Sequence, residues 1–340
     1  MRGRTGWQRW YCRAGISGVA ALVLILAACS RERAEEGSES AAQQHERAQA
    51  YPAGSVILLP SNTSHFHWAK SGEYVTQVTA IGPLGLEYLD PGDDPREIAP
   101  YLRGFGTTRF LSSETSRNGQ PAALAVDIVA LMDALKIEKA VLGGFDWGAR
   151  TANIIAALWP ERCKAQVAVS GYLVGSQEAS KVPLPPKAEL QWWYQFYFAT
   201  ERGRADYDKY RHDFAKLIWQ LASPKWNFDD ATYERSAASF DNSDHVSIAI
   251  HNYRRRLGLA AGESKYDDLE KRLAECPVIT VPTITLEGDA NGAPHPEPSA
   301  MFKKFTGKYS HRTLTGDIGH NLLQEAPNAF ADAIVEADHL

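Results

Sequence analysis

Hydrophobic and polar positions alternate along the chain in two distinct styles. Through Tyr51–Arg96 the apolar runs are short and broken by Gly, Pro and Asn, so Ser55–Leu59, Tyr74–Thr79 and Leu86–Leu89 read as strands. From about Ile98 the style changes. Ile98–Gly106 reads as a strand leaving into a glycine-rich turn. Leu124, Ile128, Leu131 and Leu135 then recur at i, i+4, i+7 and i+11, which predicts a one-sided helix. Val141–Gly144 is a short apolar run, and Ala149–Leu158 returns to helical spacing. Gln166–Ser170 predicts another buried strand. From Gly171 to about Glu263 the pattern is helical and dense in Trp, Tyr and Phe, an inserted helical layer. Val278–Leu286 returns to β, interrupted at Pro282, Arg312–Leu314 is a last short strand, and Pro327–Ala337 is a closing helix. Strands alternating with helices imply an α/β fold whose mostly parallel sheet is covered on both faces.

The first residues stand apart from this scheme. Arg2, Arg4, Arg9 and Arg13 precede a thirteen-residue apolar run, Ile16–Ala28, which is short for a membrane span. It ends in Leu26-Ala27-Ala28-Cys29, which resembles a bacterial lipoprotein signal. On that resemblance residues 1–28 are a signal peptide and Cys29 carries a lipid anchor on the periplasmic side of a membrane. Residues 29–50, rich in Glu, Gln, Ala and Ser, form a solvated tether.

Composition narrows the classes. With 340 residues, 44% hydrophobic and 23% charged, the chain can bury a full core. A net charge of −5 and no basic stripe argue against nucleic acid as a partner. Beyond Cys12 and Cys29, Cys163 and Cys276 each lead into an apolar run and read as buried free thiols. No Cys/His spacing suggests zinc, and no cofactor is implied.

Candidate chemistry centres on Gly144-Phe145-Asp146-Trp147-Gly148. A strand, a sharp turn and a helix with glycines flanking one polar residue have the outline of a nucleophile elbow, here with Asp146 at the tip instead of Ser. A carboxylate is a poor acyl-transfer nucleophile but a good one for displacement at an sp3 carbon. An acid and a histidine should follow in that order. Asp289 lies just past Thr283–Leu286, and His320 just past the last strand; His295 and Asp317 are their nearest rivals.

Taken together, these motifs resemble the epoxide hydrolase branch of the α/β-hydrolase superfamily. The resemblance runs from Ile98 to the C-terminus. It rests on Leu102-Arg103-Gly104-Phe105-Gly106, the Asp146-Trp147 elbow, Tyr194-Gln195-Phe196-Tyr197-Phe198, Asn252-Tyr253-Arg254, Gly288-Asp289 and Gly319-His320. It implies an α/β-hydrolase domain over 98–340 with a helical cap at about 172–263. It further implies attack by Asp146 on an epoxide, hydrolysis of the resulting ester by water that His320 activates and Asp289 orients, and Tyr194 and Tyr253 as proton donors to the opened ring. Haloalkane dehalogenases share the Asp-Trp elbow, and haloacetate dehalogenases carry Arg where this chain has Trp147, so a hydrolytic dehalogenase is the rival activity.

Two departures qualify that reading. The family's His-Gly-x-Pro segment, which supplies one oxyanion amide beside that of Trp147, occurs nowhere in the sequence. Losing one such donor typically costs about 10²–10³ in rate. In place of the family's first strands, residues 51–97 resemble the closing half of a cupin barrel, through Gly54-x5-Pro60-x-Asn62-x2-His65. His65 would match a cupin metal ligand, yet the other ligands of that family are absent, so His65 and His67 read as ordinary histidines and no metal is expected. A fusion behind a truncated sheet follows, with the cupin-like strands available to cover the exposed edge and a non-catalytic, membrane-tethered relic as the alternative from another class.

Overall fold

The computed structural model describes residues 25–28, 97–295 and 301–340. The chain divides into two compact units, Met1–Cys29 with Pro95–Leu340, and Ser30–Asp94, and the described residues all fall in the first. The cupin-like strands, His65 and His67, the tether and Cys29 therefore lie outside the described residues.

A six-stranded sheet runs in the order β2-β1-β3-β4-β5-β6. Its strands are β1 (Ile25–Ala28), β2 (Glu97–Ile98), β3 (Ala140–Gly144), β4 (Cys163–Val169), β5 (Thr283–Gly288) and β6 (Tyr309–Leu314). From β3 to β6 the pairing is parallel, as the alternation with helices predicts. β1 pairs antiparallel with both β2 and β3, placing Leu26 opposite Leu142. The place beside the elbow strand is thus filled from the apolar run upstream, not by the cupin-like strands. The expected strand from Ile98 shrinks to two residues, because Gly104 and Gly106 turn the chain with φ of 82° and 50°.

Helices cover both faces. α1 (Pro121–Ala134) starts at a proline and buries Leu124, Ile128 and Met132, while Leu135 falls at its exposed C-terminus instead of on the predicted stripe. α2 (Trp147–Leu158) lies beside α1 under the same core. On the opposite face Val141, Val167, Ile284 and Leu286 meet Phe330 and Ile334 of the closing helix, Pro327–Asp338. The inserted layer is helical as expected: α3 (Pro186–Gln191), α4 (Trp193–Phe198), α5 (Glu201–Ala222), α6 (Asp230–Ala237) and α7 (His245–Arg256). α8 (Asp267–Ala274) then returns the chain to β5. Cys163 is a buried free thiol and Cys276 a half-buried one.

The cap is tied to the sheet domain by a buried histidine. His245 Nδ1 lies 3.0 Å from the Gly104 carbonyl, and Nε2 lies 2.8 Å from the Tyr207 hydroxyl. A carbonyl can only accept, so Nδ1 carries the proton and neutral Nε2 accepts from Tyr207. Its ring meets Phe105 edge-on at 4.7 Å. Desolvation lowers its pKa from 6.5 to about 4. The unfolded chain takes up this proton below about pH 6.5 and the folded one only near 4, so the stability it contributes is complete above pH 6.5 and is lost as pH falls towards 4. Wild type should therefore exceed His245→Asn in denaturant stability by clearly more at pH 7.5 than at pH 4.5; a gap independent of pH would disprove the buried neutral ring.

Candidate active site

The elbow is built by close backbone approach. A β-carbon on Gly144 would stand 2.4 Å from the carbonyl carbon of Gly148, so only glycine lets strand β3 turn into α2 this tightly. The turn drives Asp146 to φ 49°, ψ −122°, a strained conformation for a residue with a side chain. Asp146 is the N-terminal flanking residue of α2 yet makes no capping bond, which leaves its carboxylate available.

His320 reaches it. Nε2 lies 3.4 Å from Asp146 Oδ2. The loop carrying His320 is clamped to the end of α5: the His320 amide donates to the Ala222 carbonyl at 3.2 Å, and the Asn321 amide to Ser223 Oγ at 3.0 Å. Burial by itself would raise the Asp146 pKa, but His320, Arg150 and Arg256 outweigh it and hold the group below the ordinary carboxylate value. His320 experiences the converse. Desolvation works against its charge, and the bond to Asp146 overrides that and raises its pKa above 6.5.

The cap supplies two phenols over the same carboxylate. Tyr194 of α4 and Tyr253 of α7 meet with ring centroids 5.4 Å apart at 90°, and Tyr253 lies 6.0 Å from the Trp147 ring. Burial raises both phenol pKa values, and the Asp146 charge adds to the effect, so both stay protonated at neutral pH. Trp147 itself is buried, and its indole N–H acts on the Tyr253 phenol.

Asp289 does not take the expected position. Its carboxylate accepts from the amides of Gly316 at 3.0 Å and Ile318 at 2.9 Å, and these contacts hold it below its ordinary pKa. His320 Nδ1 is buried and forms no hydrogen bond. The cause is again a close approach: a β-carbon on Gly288 would stand 2.2 Å from the Ile318 carbonyl oxygen, so the end of β5 presses on the 316–319 loop and Asp289 closes that loop. It acts on the backbone leading to His320, not on the imidazole. Of the rivals, Asp317 is exposed in a left-handed turn, and His295 lies 4.0 Å from Glu287.

Three residues at the site escape the sequence reading. Glu287, a buried carboxylate on β5, receives Asn291 Nδ2 at 2.7 Å and helps raise the His320 pKa. Arg150 and Arg256 both act on Asp146. A charge inside an otherwise apolar strand was the available signal for Glu287, and spacing i+4 from Asp146 was that for Arg150. Among the described residues no group of three or more His, Cys, Asp or Glu could hold a metal ion.

Residues 95–216 match the family model described as alpha/beta hydrolase fold. A solved structure from Klebsiella pneumoniae subsp. pneumoniae MGH 78578, described as a candidate epoxide hydrolase, is 64% identical over 71% of this chain and 80% of its own, with a TM-score of 0.71. The chain belongs to the alpha/beta hydrolase fold family. A Caballeronia sordidicola protein named epoxide hydrolase is 31% identical over 219 residues, 60% of this chain and 61% of its own length. Thus the chain spans about three fifths of that relative, and 38% of Epoxide hydrolase 2 from Siraitia grosvenorii, to which it is 33% identical over 36% of its own length. Within this alpha/beta hydrolase, Asp289→Asn should speed amide hydrogen exchange at Gly316 and Ile318 at least tenfold. Unchanged protection at both amides would show that the carboxylate does not hold the loop.

Proposed function

We propose that the chain hydrolyses an epoxide to a diol through a covalent ester on Asp146. The observation carrying this reading is the convergence of an ionised Asp146, an imidazole 3.4 Å away and two phenols kept protonated. Asp146 Oδ attacks a ring carbon, the C–O bond breaks, and the leaving oxygen takes a proton from Tyr194 or Tyr253. Water then gives a proton to His320 and adds to the ester carbonyl. The diol oxygen leaves with the proton from His320, and the Asp146 carboxyl returns its proton to the tyrosinate, which regenerates both. The Trp147 amide serves the oxyanion with no His-Gly-x-Pro partner, so the rate falls about 10²–10³ below that of a two-donor enzyme.

Ester formation itself switches the base on. In the free enzyme the bond to the Asp146 charge favours the protonated form of His320. Alkylation removes that charge, leaving desolvation to favour the neutral imidazole. A base works only when neutral, so ester decay should rise with pH through an inflection lying below the His320 pKa of the free enzyme. Single-turnover decay compared with an NMR titration of His320 tests this; an inflection at or above the free-enzyme value would refute it.

His320→Gln should accumulate an ester on Asp146 with styrene oxide, seen as a mass increase on the peptide carrying Asp146. Absence of ester and diol across a panel of epoxides would sink the assignment and favour the non-catalytic reading. A second activity, hydrolytic dehalogenation, draws support from the buried indole N–H of Trp147, a donor that suits a departing halide; halide release against diol formation separates the two. Export as a lipoprotein anchored through Cys29 remains a separate proposal. Cleavage there removes β1 from the sheet, and the N-terminal residue of protein recovered from membranes tests it.

A further inference from the structure

Beside Arg150 and Arg256, the two guanidinium groups that act on Asp146, lies a cavity of about 300 Å³ lined also by Arg255 and the apolar side chains of Ile154, Val174 and Leu273. Buried cations in folded proteins are normally paired. Here they are not. Among the described residues the guanidinium groups of Arg150, Arg255 and Arg256 form no salt bridge and no hydrogen bond, and Arg255 Nε is buried without a partner. Arg256 instead lies over the Trp192 ring at 4.9 Å and the Tyr253 ring at 5.7 Å.

Nearby carboxylates neutralise them only in part: Asp146 acts on Arg150, and Glu270 is felt by Arg255. Glu270 lines the same cavity but accepts from the Ala122 amide at 3.1 Å, and burial raises its pKa. Glu178 is paired with Lys181, and Asp267 is exposed. Arg150 and Arg256 repel one another, and burial beside Arg256 brings the Arg150 pKa down to about 10. A surplus of positive charge held against its own repulsion is the mark of a site that awaits an anion.

Arg150 stands four residues after Asp146 on α2, about 6 Å along the helix axis. Helical side chains lean towards the N-terminus, so its guanidinium leans back over the turn bearing Asp146. We infer that the alpha/beta hydrolase selects a small epoxide bearing a carboxylate, with Arg150 and Arg256 gripping that group while the ring rests against Asp146. The inference builds on the epoxide reading given above. A guanidinium matches the fork of a carboxylate, and the apolar wall takes a short hydrocarbon stem.

The test uses hexanoate and hexanamide as unreactive probes, titrated calorimetrically into the whole protein at low salt. Hexanoate should bind at least tenfold tighter than the amide, and 0.5 M NaCl should erode that preference. Arg150→Gln and Arg256→Gln should each bring the ratio below about threefold, and Arg256→Lys should restore part of it. Equal binding of the two probes, or a preference that survives both glutamine variants, overturns the inference. Should the glutamine variants fail to fold, the salt series and Arg256→Lys decide by the same criteria.

A second arm separates this inference from the reaction it refines. His320→Gln is exposed to 4,5-epoxyhexanoate and to its amide, and ester on Asp146 is read by mass. Faster trapping of the acid supports the inference. Equal trapping of acid and amide overturns it while leaving the epoxide reading intact. Hexanoate preference without any ester from either compound retains the anion site and removes the epoxide reading.

Discussion

Strand β3 and helix α2 meet more closely than any β-carbon would permit, and the candidate chemistry depends on that contact. The bare Cα of Gly144 allows it, and Asp146 must adopt a left-handed φ. The strain at Asp146 is held by packing on both sides: Val141 and Phe145 against the closing helix, Trp147 beneath Phe105 and Tyr253. The carboxylate is lifted from the sheet because the backbone has nowhere else to put it.

Once there, its surroundings are biased towards positive charge. An imidazole and two guanidinium groups keep one carboxylate ionised despite burial, and two protonated phenols lie within reach of its charge. The arrangement suits a nucleophile that must carry its charge before the reaction and lose it during the reaction. In the proposed reaction, loss of that charge lets the imidazole shed its proton more easily.

How much of this the sequence discloses depends on distance along the chain. The elbow, its helix and the aromatic cap rest on local spacing, and they appear in the structure at the positions the pattern predicts. The order of Asp146, Asp289 and His320 is equally legible. The bonds they form are not, because Gly288 presses β5 against the 316–319 loop and turns Asp289 to the backbone, a contact no spacing announces. Arg256 is hidden for a similar reason, 106 positions from Arg150 in a run of three arginines that reads as a solvated helix end. The apolar residues 25–28 suit a leader and a sheet strand alike, and composition does not separate the two.

The two thiols of the described fold differ in what oxidants can do to them. Cys163 opens β4 in the dry interior, and desolvation pushes its pKa to about 12, so essentially no thiolate exists there to react. Cys276 is half-buried outside the strands, where a reagent can reach it. Of these two sulfurs a disulfide reagent would mark Cys276 and spare the sheet, so a crosslink made through it would sit in the segment just ahead of β5 and leave the elbow untouched.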